Sequence, residues 1–277
     1  MKKIYIWTLL IILLFSNCEK VVDIDVPTIE PKLIIDASFE VLFNASPVTA
    51  NVVVKLKLST DYFDETIPTV SNAIVFLTNT TDSSIINFSD VNLNGNFTPI
   101  INFIPKDAIE YELTVIYKSE TYKGRATKVK STQIDNAMQG DETLFSGKEI
   151  EIKVAFKDNI NTENYYLFNF TNNLFLPLED RFFNGTNYNF SFFYQEDEIE
   201  VPTNVTVTMS GITKDYFTYF RILQNQSGTT GGGPFQSVPS SLLGNIINTT
   251  NETNFPLGYF HISETDTFTI DLVEKNE

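Results

Sequence analysis

The 277-residue chain is poor in the side chains that most enzymes depend on. It has one cysteine, one histidine and one tryptophan. A single cysteine rules out an intrachain disulfide, and a single histidine leaves little for a two-histidine metal centre. A Ser-His-Asp triad would rest entirely on His261. That residue lies in an apolar strand-like run between Phe260 and Ile262, where a histidine is read as structural. No Gly-x-Ser-x-Gly elbow is present to supply a nucleophile. Positive charge is also scarce. Lys and Arg number 19 against 35 Asp and Glu, for a net charge of −16. Such a surface repels nucleic acid and anionic lipid, so neither is an expected partner.

Long apolar runs are missing too. The longest is Ile4–Phe15, preceded by Lys2 and Lys3 and followed by Ser16, Asn17 and Cys18. About 20 apolar residues are needed to cross a bilayer, so this run reads as a secretory leader, 1–17. Cys18 then becomes the expected lipidation site of a bacterial lipoprotein. Three acyl chains on it would hold the protein at a membrane without an inserted segment. Residues 18–31 form a lipidated tether whose start, Glu19 to Asp25, is acidic. Two readings of that patch stay open, a surface-export signal and a solvated linker.

The chain as a whole is rich in aromatics, with 24 Phe and 12 Tyr, and only 19% charged. That composition supports a packed core and argues against disorder. Strand-like runs recur at Lys32–Phe39, Asn51–Leu58, Ala73–Asn79, Ser84–Phe88, Tyr111–Tyr117 and Thr121–Val129. Turn signals such as Asn94-Gly95-Asn96 separate them. Residues 131–148 are polar and without clear period, and a linker is expected there. Beyond it, Glu149–Phe156, Tyr165–Phe170, Tyr188–Tyr194 and Asn204–Met209 read as strands, with two more at Leu257–Ser263 and Thr267–Val273. Lys214–Gln226 reads as the one helix, with Phe217, Phe220 and Leu223 on a face and Thr213 as N-cap. The expectation is an all-β protein. An Ig- or prealbumin-like β-sandwich (32–130) would be followed by a second β-rich module (149–277) containing the helix 214–226.

Three stretches invite a chemical reading. Gly228–Pro234 is glycine-rich, but it follows a helix and lacks the Lys-Ser/Thr of a phosphate loop, so a connector is expected. Glu196, Asp197, Glu198 and Glu200 form the densest acidic cluster. They lack the spaced pattern of a calcium loop and read as a solvated turn, so no metal and no cofactor is expected. Arg181–Tyr194 is the most aromatic stretch. Tyr188, Phe190, Phe192 and Tyr194 share one strand face, the pattern of a core. Phe182, Phe183 and Phe193 fall outside that face and are the candidate contacts for a partner or a sugar ring.

Several segments carry a resemblance. They are Cys18–Asp25 with Pro31-Lys32-Leu33, Asn72–Val75, Tyr111–Val115, the helix, and above all Pro234–Ile246 (PFQSVPSSLLGNI) and Phe255–Phe260 (FPLGYF). Together they resemble a family of Bacteroidota surface lipoproteins that carries a domain-of-unknown-function label. The first half is also similar to prealbumin-like modules of carboxypeptidase-associated and outer-membrane receptor proteins. Genes of that family often stand beside one for a TonB-dependent transporter. The resemblance therefore implies a partner rather than a reaction, and it supplies no catalytic residues. The leading expectation is a non-enzymatic outer-membrane lipoprotein on the extracellular face. It would act as an accessory subunit over a β-barrel protein, either a TonB-dependent transporter or a barrel-insertion or secretion machine. The alternative is a lipoprotein that captures a glycan, peptide or chelate for the transporter. A hydrolase working through two carboxylates is the remote third reading.

Overall fold

The computed structural model describes residues 30–60, 66–227 and 242–274. The leader, Cys18, most of the tether, the glycine-rich stretch and most of Pro234–Ile246 lie outside them. Among the described residues, fifteen strands and one α-helix, with a short 3-10 turn, make up an all-β fold. The strands are β1 (Leu33–Leu42), β2 (Thr49–Leu58), β3 (Ile74–Asn79), β4 (Ile85–Ser89), β5 (Asn96–Pro99), β6 (Glu110–Tyr117), β7 (Glu120–Thr127) and β8 (Ile134–Gln139). They continue as β9 (Ile150–Lys157), β10 (Tyr165–Phe170), β11 (Phe175–Glu179), β12 (Asn187–Tyr194), β13 (Thr203–Ile212), β14 (Ile246–Asn248) and β15 (Leu257–Leu272). The helix α1 spans Lys214–Gln226.

Twelve strands form one sheet in the order β11-β10-β13-β15-β1-β2-β5-β4-β3-β6-β7-β14, and β12-β9-β8 form a second. The short strand β5 joins β2 to β4, which lets the long sheet turn over its own core. The turn before it needs Gly95. Its φ is +81°, and a Cβ there would sit 2.6 Å from the Leu56 carbonyl oxygen. Inward side chains of β1 to β7, such as Ile35, Phe39, Val54, Leu77 and Val115, fill a first, largely aliphatic core. A second core lies between β10-β13-β15 and the small sheet. It is dominated by rings, among them Phe156, Tyr166, Phe168, Phe170 and Tyr194. Phe170 and Phe192 stack at 3.9 Å, a contact that adds to plain area burial.

The strand β15 ties the two cores together. Its first half pairs parallel with β1, from Ile34↔Leu257 to Leu42↔Thr265. Its second half pairs antiparallel with β13, from Ser210↔Thr265 to Thr203↔Leu272. One face serves both cores, because side chains of a strand alternate with period two. Phe260 and Ile262 enter the first core, and Ile270 and Leu272 enter the second. At the seam that face carries Glu264 and Asp266 instead. Asp266 accepts the Ile134 amide N–H at 2.7 Å and the Asn44 side-chain amide at 2.8 Å.

Two expectations need correction. The polar stretch 131–148 is not a bare linker, since it holds β8, paired with β9 through a bulge between Ile134 and Asn136. The bulge breaks the alternation, so only Ile134 and Ala137 are buried and the sequence shows no period. Nor do two separate modules result. Residues Pro31–Glu277 form one compact unit, because β15 belongs to both halves. The two runs Leu257–Ser263 and Thr267–Val273 are one strand, interrupted in sequence only by its polar seam.

Candidate functional site

The site begins with α1. Thr213 caps it, its hydroxyl oxygen accepting the Tyr216 amide N–H at 3.2 Å. Tyr216, Phe217 and Phe220 then pack on Tyr165 and Leu167 of β10 and Ile212 of β13, making a third small core on the outer face of the long sheet. Thirteen residues of helix reach only about 20 Å, so the helix covers part of that face. A groove of about 580 Å³ remains between the helix and the outer faces of β10, β13, β15, β1 and β2. Its wall is aromatic. Tyr259 lies 4.8 Å from Tyr216 and 4.9 Å from Tyr219, ring centre to ring centre. Its floor is polar, with Asp36, Ser38 and Glu40 of β1, Lys55 of β2, Asn169 of β10 and His261 of β15.

Strand geometry places the two acids. Asp36 and Glu40 are four residues apart, so they share a face and stand about 13 Å apart along β1. Crowding by the surrounding protein raises both carboxyls above the usual carboxylate range. Lys55 and Lys57 pull Asp36 part of the way back, as Asn51 and Lys55 do Glu40. Among the described residues neither acid is in an ion pair. Burial raises the phenols of Tyr216, Tyr219 and Tyr259, and Asp36 and Glu40 raise Tyr216 further. Burial also pushes His261 down to about 4. Its ring stacks on Tyr216 at 4.3 Å, and its Nδ1 lies 3.2 Å from the Ser263 hydroxyl. The Asn169 Oδ1 is buried at the groove with no hydrogen-bond partner.

A second hollow, of about 570 Å³, shares Tyr259 and His261 with the groove. Most of its other charged groups are already engaged, Asp215 being the exception. Arg125 pairs with Glu112 at 2.8 Å and Lys128 with Asp107 at 2.6 Å. The Asn245 amide donates to the Phe260 carbonyl and accepts its N–H. The groove is the better site because it sets two carboxylates and the unpartnered Asn169 Oδ1 beside an aromatic wall.

The candidate contacts at Phe182, Phe183 and Phe193 do not come together. Phe183 is 6% exposed, stacks on Tyr188 at 4.0 Å and belongs to the second core, so it is not a surface contact. The 3-10 turn Asp180–Phe182 turns the chain inward at 183, and only Phe182, 87% exposed, faces out. Phe193 is half-buried, opposite Glu151 of β9. In the acidic cluster, Glu196 pairs with Lys148 at 2.6 Å and Glu198 accepts the Gln195 amide. Among the described residues no group of three His, Cys, Asp or Glu is placed to hold a metal. Of the groove residues, the sequence drew notice to His261 as structural and to Phe220 and Leu223 as a helix face, but not to Asp36, Glu40 or Asn169. The available signal was the alternation of Asp36, Ser38 and Glu40 on an otherwise apolar strand.

The fold and groove define a β-rich protein with a concave, tyrosine-walled face beside the helix α1. The chain belongs to the family described as Domain of unknown function (DUF4249), whose model matches residues 19–269. A search of curated proteins found no match.

Proposed function

We propose that this chain is a lipid-anchored, outer-membrane binding protein that captures a small polar ligand in the groove and passes it to a β-barrel transporter. One observation carries the reading. The groove joins an aromatic wall to two carboxylates and an unpartnered amide oxygen, that of Asn169, the usual make-up of a binding site. The leader-like start, Cys18 and the resemblance to Bacteroidota surface lipoproteins support the anchor and the location. The reading assigns binding and no reaction. The test is a thermal-shift and calorimetric screen of the lipidated protein in gentle detergent against glycans, peptides, amines and chelates. A ligand that stabilises the protein, and loses that effect in Tyr219→Ala, is the expected result. A screen in which every hit survives Tyr219→Ala would sink it.

A second reading has its own support. Phe145 is fully exposed at 101%, on a loop whose amides are fastened to Glu149, and Phe182 is nearly as exposed. Rigidly held exposed aromatics are the side chains that anchor protein interfaces. The chain would then be an accessory subunit over the extracellular face of a β-barrel complex. Affinity purification with mass spectrometry should recover a barrel protein at stoichiometric yield, reduced by Phe145→Ala. A protein that purifies alone excludes this role.

A further inference from the structure

We infer that the groove takes a cationic, donor-rich ligand, one bearing an alkylammonium group. This rests on the groove being the binding site, and deepens it. Acceptors outnumber charged donors in the lining: the carboxylates of Asp36 and Glu40, the latter holding only the Asn51 side chain, and the orphan Oδ1 of Asn169 stand against the one ammonium of Lys55. A sugar brings acceptors as well as donors. An ammonium brings three donors and no acceptor, so it matches the surplus. Charge agrees, since two carboxylates face the single cation Lys55 in the lining. The wall agrees too. The faces of Tyr219 and Tyr259 carry the negative quadrupole that attracts an ammonium, most strongly where water is excluded. The raised carboxyls have the same origin, because each bears a negative charge in a crowded place with no ion-pair partner. A bound cation would reverse that shift.

The test is calorimetry on the lipidated full chain, with spermidine as probe and maltotriose as the neutral comparison. The acidic protein would attract any polyamine loosely, so the surface variant Glu196→Gln is the control and moderate salt is present throughout. Spermidine should bind at pH 7, about tenfold more weakly in Asp36→Asn or Glu40→Gln, and unchanged in Glu196→Gln. The same binding should fade toward pH 4. There Asp36 and Glu40 take up protons and His261 begins to charge, in a groove that also faces Lys55, Lys57 and the three tyrosines. Equal spermidine affinity in wild type and the Asp36→Asn/Glu40→Gln double variant would overturn the inference. Maltotriose binding that is lost in Tyr219→Ala, with no groove-dependent spermidine binding, would overturn the ammonium and leave the site. No groove-dependent binding of any probe or screened ligand would remove both. Melting curves of each variant confirm that it is folded.

Discussion

Two sets of carboxylates in this protein meet opposite treatment. Glu149 is 2% exposed, and its oxygens accept the backbone N–H groups of Leu144, Phe145, Ser146 and Gly147 at 2.9 to 3.2 Å. Those bonds, that of Ser146 first, pull its carboxyl down to about 2. Asp158, 4% exposed, accepts the Tyr166 hydroxyl at 2.5 Å and the Gly185 amide at 2.7 Å. Asp36 and Glu40 stand in the groove without backbone donors, Glu40 holding only the Asn51 side chain, and are raised instead. The contrast separates structural acids from acids with capacity to spare. A carboxylate saturated by the chain's own donors fastens a loop or a core ring, and has nothing left for a ligand. One crowded by protein yet short of donors is held at a cost that a bound cation would relieve.

The contrast is sharpest at Asp158. Asp158→Ala would leave the Tyr166 hydroxyl and the Gly185 amide without partners in and beside the second core. Two such losses next to a former charge amount to about 3 kcal/mol. For a unit of this size that is a fall of about 6–12 °C in melting temperature, read by calorimetry. Asp36→Ala should show no comparable fall. Equal losses at the two positions would abolish the distinction between them.

Next in size is the loop that Glu149 fastens. Glu149→Gln exchanges one acceptor oxygen for a donor facing N–H groups. Amide exchange at residues 144–147 should then quicken about tenfold, as read by hydrogen exchange, with the β9 amides unchanged. In the native protein the carboxyl value is lowered from 4.5 to about 2. Its stabilising effect is therefore complete above the unfolded value and drains away as pH falls from about 4.5 towards 2. In Glu149→Gln the exchange in that window should no longer depend on this proton. A loop that stays protected at pH 2 would mean that other contacts hold it.

The same contrast explains what the sequence could disclose. Tyr165–Phe170 and the helix Lys214–Gln226 were legible to the residue, because a dense apolar run and a capped period of 3.6 are local signals. β5, β11 and β14 were not, being three to five residues long, and β14 is held by β7, far away in sequence. β8 hid behind its bulge. The groove was the least legible. Asp36, Ser38 and Glu40 read as the solvent face of an amphipathic strand, which locally they are. Only α1, about 175 residues on, and β15 beyond it turn that face into a concavity. Phe183 erred the other way, since a ring outside the strand's alternation looks free until a 3-10 turn folds it into the core.

The smallest effect is the most specific to the groove. A carboxyl whose folded value is raised favours the fold while protonated. That contribution is full below the unfolded value of 3.8 for Asp36 or 4.5 for Glu40, and is lost as pH rises through the higher folded value. At pH 7 the ionised acids therefore weigh against folding, and Glu40→Gln should stabilise the unliganded protein. Solvent reaches the groove, so screening keeps the gain to about 0.5 kcal/mol. The gain should vanish by pH 3.5, where wild type and variant both present a neutral group. Asp158→Ala has the opposite sign, destabilising at pH 7. Paired urea unfolding of the two variants at pH 7 and pH 3.5 reads both signs in one experiment. A destabilising Glu40→Gln at neutral pH would show that this acid, too, is bonded into the structure and is not held in readiness for a cation.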